Sequence, residues 1–294
     1  MILLTDRCTG FPIALVQATY LTALRTAAGS GVATDCFALP NSSVLAVWGA
    51  GMQAEQHVHA VLAVRPAIHT VHIINRSAQR ARDLVANLQR CYPAVQFTVH
   101  ATSDASAAAQ ASLSSALRSA HVICTTTNSA EALLRAEDVS PGSHINAIGS
   151  YLPSMHELSS ELVARCRIVV DTAPAAFHAG DLHSPLEAGI IRQDDIRELG
   201  AYVDRERYAK PLNAAAASAS SSSEAASDAS TDEIGFILHV ATLSASPAVA
   251  PLRSSPSDIT LFKSVGTAIQ DVATAYAVLQ RARTMKLGKP AQWD

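Results

Sequence analysis

A glycine-containing segment offers the most specific chemistry in this sequence. Gly49-x-Gly51-x-x-Ala54 follows a short apolar run at 44–48 and leads into a segment rich in Ala, Val and Leu. In that context the pattern is typical of a dinucleotide-binding turn, because the glycines allow a close approach to a pyrophosphate and the following helix N-terminus attracts the anion. The alternative is a strand-to-helix turn without a ligand.

The residues after the next predicted strand indicate which dinucleotide is preferred. An NAD site usually has Asp or Glu there to bind the ribose hydroxyls, whereas this chain has Asn75-Arg76-Ser77. A guanidinium cannot accept a hydrogen bond from a hydroxyl but can pair with a 2′-phosphate, aided by the Ser77 hydroxyl. We therefore expect NADP(H) to be favoured over NAD(H). The alternative is that Arg76 is a solvated side chain at a strand end.

Two further segments carry polar side chains suited to a substrate. Arg25 stands among small residues of a predicted helix, which leaves room for a carboxylate beside its guanidinium; the alternative is a surface arginine on an amphipathic helix. Asp181 lies between His178 and His183 and could act as a general acid or base. A metal bound by the two histidines is less favoured, because no further ligand cluster accompanies them.

A series of strands alternating with helices must position these residues. Short apolar runs predict strands at 44–48, 71–75, 95–100, 121–125, 144–148 and 167–171, with helices at 78–91 and in the Ala-rich stretch that ends near 118. The strands show little alternation between apolar and polar residues, as a sheet buried on both faces requires. The sequence therefore predicts an α/β fold with a doubly wound, Rossmann-type parallel sheet.

The two ends of the chain are predicted to form a second, smaller α+β domain. A strand at 2–4, a turn at 8–10 and a helix with Leu21, Leu24, Ala28 and Val32 on one face precede the nucleotide-binding domain, which we place at 40–208. A strand at 258–262 and a helix with apolar residues at 269, 272, 276 and 279 follow it. We assign 1–39 and 258–294 to a dimerisation and substrate domain, and 213–232 to a disordered Ser/Ala-rich insertion.

Composition excludes several classes of protein. The chain has 294 residues, 49% of them hydrophobic, and its 22 basic against 25 acidic side chains leave no basic excess for nucleic acid. Five widely spaced cysteines without a C-x-x-C pair indicate neither a disulfide framework nor a zinc site. No apolar run reaches the ~18 residues of a membrane span, so we expect a cytoplasmic protein. No lysine precedes Lys210, which removes early lysines from any mechanism.

Six segments, taken in order, resemble the signature stretches of the ornithine cyclodeaminase/mu-crystallin family. They are residues 21–28, 49–54, 75–77, 145–151, 180–182 and 261–266. The resemblance implies an NAD(P)-dependent enzyme or an NADPH-binding protein that forms a homodimer. Such proteins include ornithine cyclodeaminases, amino-acid dehydrogenases, ketimine reductases and thyroid-hormone-binding mu-crystallin.

The resemblance also implies roles for individual residues. Arg25 would bind the substrate carboxylate, and Asp181 would be the acid/base near the substrate nitrogen. The cofactor would be bound in three places: the pyrophosphate over Gly51, Met52 and Gln53, the adenosine ribose among Asn75, Arg76 and Ser77, and the remainder along Thr125, Thr126, Ser264 and Gly266.

The favoured activity is the reduction of a linear or cyclic imine derived from an amino acid, with hydride from NADPH. Conversion of ornithine to proline and ammonia is one alternative, and NADPH binding without catalysis is another. Family members that this chain resembles carry a further segment before the point matched by Met1, with an arginine and a lysine that help to bind the substrate carboxylate. We therefore expect NADPH binding to be retained, catalysis on amino-acid-derived imines to be poor or absent, and the protein to have a tendency to aggregate.

Overall fold

The computed structural model describes residues 1–203 and 251–289, so the insertion predicted at 213–232 lies outside the described residues. Its strands are β1 (Ile2–Thr5), β2 (Pro12–Val16), β3 (Val44–Trp48), β4 (Thr70–Asn75), β5 (Gln96–Ala101), β6 (Val122–Thr125), β7 (His144–Ala147), β8 (Cys166–Val170), β9 (Ile196–Glu198) and β10 (Ile259–Lys263). Its α-helices are α1 (Ala18–Phe37), α2 (Met52–Val64), α3 (Ala78–Cys91), α4 (Ala107–Ser119), α5 (Ser160–Ala164), α6 (Ala173–Ala176), α7 (Gly180–Glu187) and α8 (Ala268–Thr284).

Eight parallel strands form the central sheet, in the order β5-β4-β3-β6-β7-β10-β8-β9. This confirms the predicted α/β doubly wound fold. The strands predicted for this sheet agree with the structure to within one residue at each end, because apolar residues predominate in most of them; β9 was not predicted. Along β3, Leu45 and Val47 belong to the core beneath α2 and α3, whereas Ala46 and Trp48 belong to the core of the opposite face.

The strand predicted at 258–262 is correctly located in the sequence but wrongly assigned to the terminal domain. In the structure β10 lies inside the large sheet, between β7 and β8. Every residue of its Ile-Thr-Leu-Phe-Lys run is buried, as an inner strand of a parallel sheet requires. The large sheet therefore contains residues from both sides of the segment at 204–250.

The ends of the chain do pack together, as predicted. β1 and β2 form a separate antiparallel hairpin, of which β2 was not predicted, and Leu4 of the hairpin packs with Leu21 of α1 and Ala275 of α8. The predicted face of α1 is confirmed: the helix lies along α2, and its small residues allow that close contact.

Of the four apolar residues noted along α8, Leu279 packs against the cluster of Leu4, Leu21 and Ala275, whereas the other three face outward. Ile269, Val272 and Tyr276 are 75%, 54% and 56% exposed, and the helix buries Thr274, Ala275 and Ala277 instead. The outer face of the hairpin likewise exposes large apolar side chains. We call these two faces together the terminal apolar surface, formed by Leu3, Ile13, Leu15, Ile269, Val272 and Tyr276.

Candidate dinucleotide and substrate site

The glycine turn after β3 is built so that no side chain fits at its first position. Gly49 has a φ of 122°, and a Cβ on it would lie 2.4 Å from the Oγ1 of Thr126. The Gly49 N–H donates to the carbonyl of Ile74 at 2.8 Å, and the Thr126 hydroxyl donates to the carbonyl of Trp48 at 2.9 Å. Thr126, predicted to lie along the cofactor, therefore supports the turn from the neighbouring strand.

The start of α2 fits a pyrophosphate. Gly51 is its N-cap, and a Cβ on Gly51 would meet nothing within 4 Å, so open space lies over the first turn. The first amides of a helix have no acceptor within the helix, and they favour an anion. The buried Oε1 of Gln53 has no hydrogen-bond partner in the described structure and can accept a bond from a ligand hydroxyl. Met52 is exposed beside this opening.

A buried histidine fixes the helix that follows the turn. Nδ1 of His57 lies 2.7 Å from the carbonyl oxygen of Gln53, and Nε2 lies 2.9 Å from the Ser30 hydroxyl of α1. Burial lowers the pKa of His57 to about 4, so the ring is neutral at pH 7. It donates to the carbonyl and accepts from the serine, which ties the start of α2 to α1.

The end of β4 presents the residues predicted to surround the ribose. The Asn75 amide donates to the carbonyl of Ser77 at 2.9 Å, and the Ser77 Oγ caps α3 by accepting from the N–H of Arg80. The Ser77 hydroxyl proton remains available to a ligand. Arg76 is exposed, and none of the ion pairs within the described ranges involves it.

A buried carboxylate that sequence reasoning missed holds the ends of β6 and β7 together. Glu157 accepts from the Thr125 hydroxyl at 2.8 Å, from the Thr127 N–H and hydroxyl at 2.6 and 2.7 Å, and from the Gly149 N–H at 2.7 Å. Burial raises the pKa of Glu157, and the positive charge of Lys263 opposes that rise. The hydroxyl of Thr125, predicted to lie along the cofactor, is thus buried and already bonded.

Asp181 is a second buried carboxylate, and it is paired with Lys263. Its Oδ1 accepts from the N–H groups of Glu157 and Leu158 at 2.7 and 3.0 Å. Its Oδ2 lies 3.2 Å from the Nζ of Lys263, and both side chains are fully buried. In this structure the Asp181 carboxylate therefore does not reach open space, and its predicted acid/base contact with a substrate stays a prediction.

Lys263 corrects one expectation drawn from the position of the lysines. Because no lysine precedes Lys210, the sequence offered no lysine near the candidate substrate residues. The return of β10 into the sheet places Lys263 beside Asp181, 82 residues away in the sequence. A single charge at the end of an apolar strand was the available signal.

Arg25 is positioned by the segment that follows β10. Its Nε donates to Asp271 Oδ1 at 2.9 Å, and its Nη1 donates to Gln270 Oε1 at 3.3 Å. The predicted cofactor residues Ser264 and Gly266 belong to the same segment and are bonded to Asp171. The structure thus brings Arg25 and Gly266 together, and it adds Asp271 and Asp171, which sequence reasoning missed.

Two findings within the described ranges concern membrane insertion and metal binding. Within residues 1–203 and 251–289, no helix combines the length and hydropathy needed to cross a bilayer. The same ranges contain no group of three or more His, Cys, Asp or Glu side chains placed to bind a metal ion.

Comparison with known proteins gives consistent matches over nearly the whole chain. The sequence profile of the ornithine cyclodeaminase/mu-crystallin family matches residues 1–286. A Δ1-pyrroline-2-carboxylate reductase of Bacillus cereus is 30% identical over 294 residues, which cover 98% of this chain and 73% of the relative. An alanine dehydrogenase of Archaeoglobus fulgidus is 29% identical over 288 residues, covering 98% and 72%.

Solved structures agree with these sequence matches. The Δ1-pyrroline-2-carboxylate reductase of Thermococcus litoralis, in complex with NADH and L-proline, superposes with a TM-score of 0.73 at 25% identity and covers 98% of this chain and 73% of its own. An archaeal alanine dehydrogenase dimer with bound NAD superposes with a TM-score of 0.72 at 28% identity and covers 99% and 73%. The chain thus spans about three quarters of these relatives.

Proposed function

Because the chain belongs to the ornithine cyclodeaminase/mu-crystallin family, we propose that it is an NAD(P)H-dependent oxidoreductase that reduces an imine derived from an amino acid. The proposal rests on one observation above all. The glycine turn after β3 and the Ser264–Gly266 turn after β10 both follow the carboxyl ends of parallel strands, and Gly266 lies against Arg25. The turn proposed to bind the dinucleotide and the arginine proposed to bind the carboxylate therefore lie at the same edge of the sheet, which supports the proposal.

Each site residue receives a role within this proposal. The first turn of α2, with Gly51, Met52 and Gln53, would bind the pyrophosphate. Arg25 would bind the substrate carboxylate. A nicotinamide cofactor held there would supply the hydride that reduces the imine. For Asp181 we propose a positioning role, because its oxygens are occupied by two backbone N–H groups and Lys263.

NADPH is the proposed cofactor of choice. Relatives were solved with NADH and NAD, which supports a nicotinamide dinucleotide. The finer preference rests on the exposed Arg76 and the free hydroxyl proton of Ser77, together with the absence of an acidic residue at 75–77. Asp or Glu at this position would favour the unphosphorylated ribose.

The chain is also proposed to act as a homodimer. The terminal apolar surface exposes Leu3, Leu15, Ile269 and Val272, and large exposed apolar side chains mark association surfaces. An archaeal alanine dehydrogenase relative is a dimer. A second copy of this chain is the occupant that we propose for that surface.

The activity is tested by following the oxidation of NADPH with Δ1-pyrroline-2-carboxylate and Δ1-piperideine-2-carboxylate, and in parallel by supplying ornithine with the oxidised cofactor. We expect imine-dependent oxidation of NADPH. Release of ammonia from ornithine without net cofactor turnover would instead identify a cyclodeaminase. NADPH binding without any turnover would identify a binding protein.

The cofactor preference is tested with Arg76→Ala. The site is exposed, so pairing with the 2′-phosphate should contribute about 1–2 kcal/mol, and the variant should bind NADPH roughly 5- to 30-fold more weakly. Affinity for NADH should not change. Arg90→Ala, in the last turn of α3, is the matched control. Equal affinities of the unsubstituted chain for both reduced cofactors would contradict the preference.

A further inference from the structure

The guanidinium of Arg25 is held by residues that are distant in the sequence, near the other end of the chain. Arg25 is on α1, and its side chain is only 11% exposed. Asp271 lies 246 residues later, in the first turn of α8, and accepts from Nε at 2.9 Å. Gln270 accepts from Nη1 at 3.3 Å and, with the same oxygen, from the N–H of Thr267. The start of α8 therefore fixes one edge of the guanidinium.

The backbone beneath the guanidinium requires glycine. Gly266 has a φ of 82°, and a Cβ on it would lie 2.4 Å from Nη1 and 2.8 Å from Nη2 of Arg25. The turn that carries Gly266 is itself fixed by Asp171, whose Oδ2 accepts from the Ser264 hydroxyl and from the N–H groups of Val265 and Gly266 at 2.7–3.0 Å. The plane of the guanidinium thus has a defined support.

These contacts leave some of the guanidinium N–H donors of Arg25 for a ligand. A guanidinium has five N–H donors, one on Nε and two on each Nη. Asp271 occupies Nε and Gln270 occupies one hydrogen of Nη1. Within the described residues this leaves Nη2 and one hydrogen of Nη1 without an acceptor, and a pair of guanidinium N–H groups can bind the two oxygens of a carboxylate.

We propose that Asp271 is a positioning and specificity-determining residue. It holds the Arg25 guanidinium so that its remaining N–H groups face the carboxylate of the substrate. The inference rests on the proposed function, in which Arg25 binds that carboxylate. Without the Asp271 acceptor the long arginine side chain regains alternative rotamers, and a bidentate ligand must then order it on binding. The residue acts through Arg25, so its removal weakens recognition of a carboxylate specifically.

Asp271→Ala provides the test, with Asp271→Asn as the conservative variant that retains an acceptor oxygen. For Δ1-pyrroline-2-carboxylate we expect Asp271→Ala to raise KM about tenfold with kcat changed less than about threefold, because an orienting contact to the bound substrate is lost. KM for 1-pyrroline, which has no carboxylate, should stay the same. Asp271→Asn should restore most of the affinity. Arg281→Ala, exposed on the same helix, is the matched control.

Binding measurements separate this inference from the proposed function. With NADP⁺ present, Asp271→Ala should weaken L-proline about tenfold and leave the affinities for pyrrolidine and for NADP⁺ unchanged. If no imine is reduced but this pattern of binding is found, the proposed function fails and the inference stands. If imines are reduced and Asp271→Ala changes neither KM nor L-proline binding, the inference fails. Equal weakening of ligands with and without a carboxylate would also overturn it, because a purely structural role would do that.

Discussion

Replacing Lys263 by methionine removes the ammonium group that balances two buried carboxylates. The Nζ of Lys263 lies 3.2 Å from Asp181 Oδ2 with both side chains fully buried, and its charge also acts on Glu157. Methionine has a similar length and no charge, so the substitution changes the charge with little change in volume. Removing one partner of a buried ion pair costs about 3–5 kcal/mol, because the other charge is left uncompensated.

The cost should depend on pH in a defined direction. Burial already raises the pKa of Glu157, and Lys263 opposes that rise, so the variant should have a higher Glu157 pKa than the unsubstituted protein. A carboxyl with a raised pKa in the folded state contributes stability below its unfolded pKa and loses it as the pH rises through the folded pKa. The destabilisation of Lys263→Met should therefore shrink as the pH falls through the raised pKa of Glu157, because protonation of Glu157 removes a negative charge that Lys263 balanced.

Urea unfolding followed by circular dichroism measures these free energies. The set should include Lys263→Met, Asp181→Asn, the double variant, and the exposed Lys289→Met as control. In the double variant the two losses should not add, since the residues share one interaction. A cost for Lys263→Met below about 1 kcal/mol, or one that is equal at all pH values, would refute the assignment of a buried ion pair.

Two further predictions concern acid stability and association. Burial lowers the pKa of His57 to about 4 and that of His144 to about 3, and since both fall below the unfolded value of ~6.5, stability is present above that pH and lost as the pH falls. At about 1.4 kcal/mol per pKa unit, His57→Gln should reduce by roughly 3 kcal/mol the free energy of unfolding that is lost as the pH falls. Urea unfolding at several pH values measures this, and an unchanged pH profile would contradict the prediction. For association, Val272→Asp on the terminal apolar surface should convert the dimer to monomer in sedimentation velocity, whereas the exposed Thr284→Asp should not. A monomer without any substitution, or a dimer that Val272→Asp leaves intact, would contradict the proposed surface.

The sequence predicts most strands of the large sheet closely because apolar residues predominate in them and helices separate several of them. The same rule located β10 but could not place it, since apolar content indicates burial and does not indicate which strands are neighbours. For α8, spacing alone identified the helix. Of its apolar residues at 269, 272, 276 and 279, the structure exposes the first three and packs Leu279 against the Leu4, Leu21 and Ala275 cluster. The same spacing of apolar residues along a helix occurs on a face that packs against another molecule and on a face buried within the chain.

Site residues were predictable where their function is local in the sequence. The Gly49–Gly51 turn depends on neighbouring residues, and the structure shows it between β3 and α2. Glu157, Lys263 and Asp271 were missed, because their partners are brought to them only by the sheet order and by the packing of α1 against α8. A lone charged residue beside an apolar run reads as the end of an element, and only the fold shows that it is paired.

At the carboxyl edge of the sheet, three carboxylates accept hydrogen bonds from backbone N–H groups of the loops. Buried loops must satisfy their backbone N–H groups. Glu157 accepts from the N–H groups of two loop residues, Thr127 and Gly149. Asp181 accepts from those of residues 157 and 158, and Asp171 accepts from those of residues 265 and 266.

The loops after β6, β7, β8 and β10 are thereby joined through side chains that also meet one another. Asp181 pairs with Lys263, Lys263 directly precedes the turn held by Asp171, and that turn supports the guanidinium of Arg25. The Asp181–Lys263 link is charged and fully buried, so each of its members depends on the other far more than it would in an apolar contact. The guanidinium of Arg25, which we propose binds the substrate carboxylate, is therefore held by polar contacts from α8 and by a turn that Asp171 fixes at the end of β10.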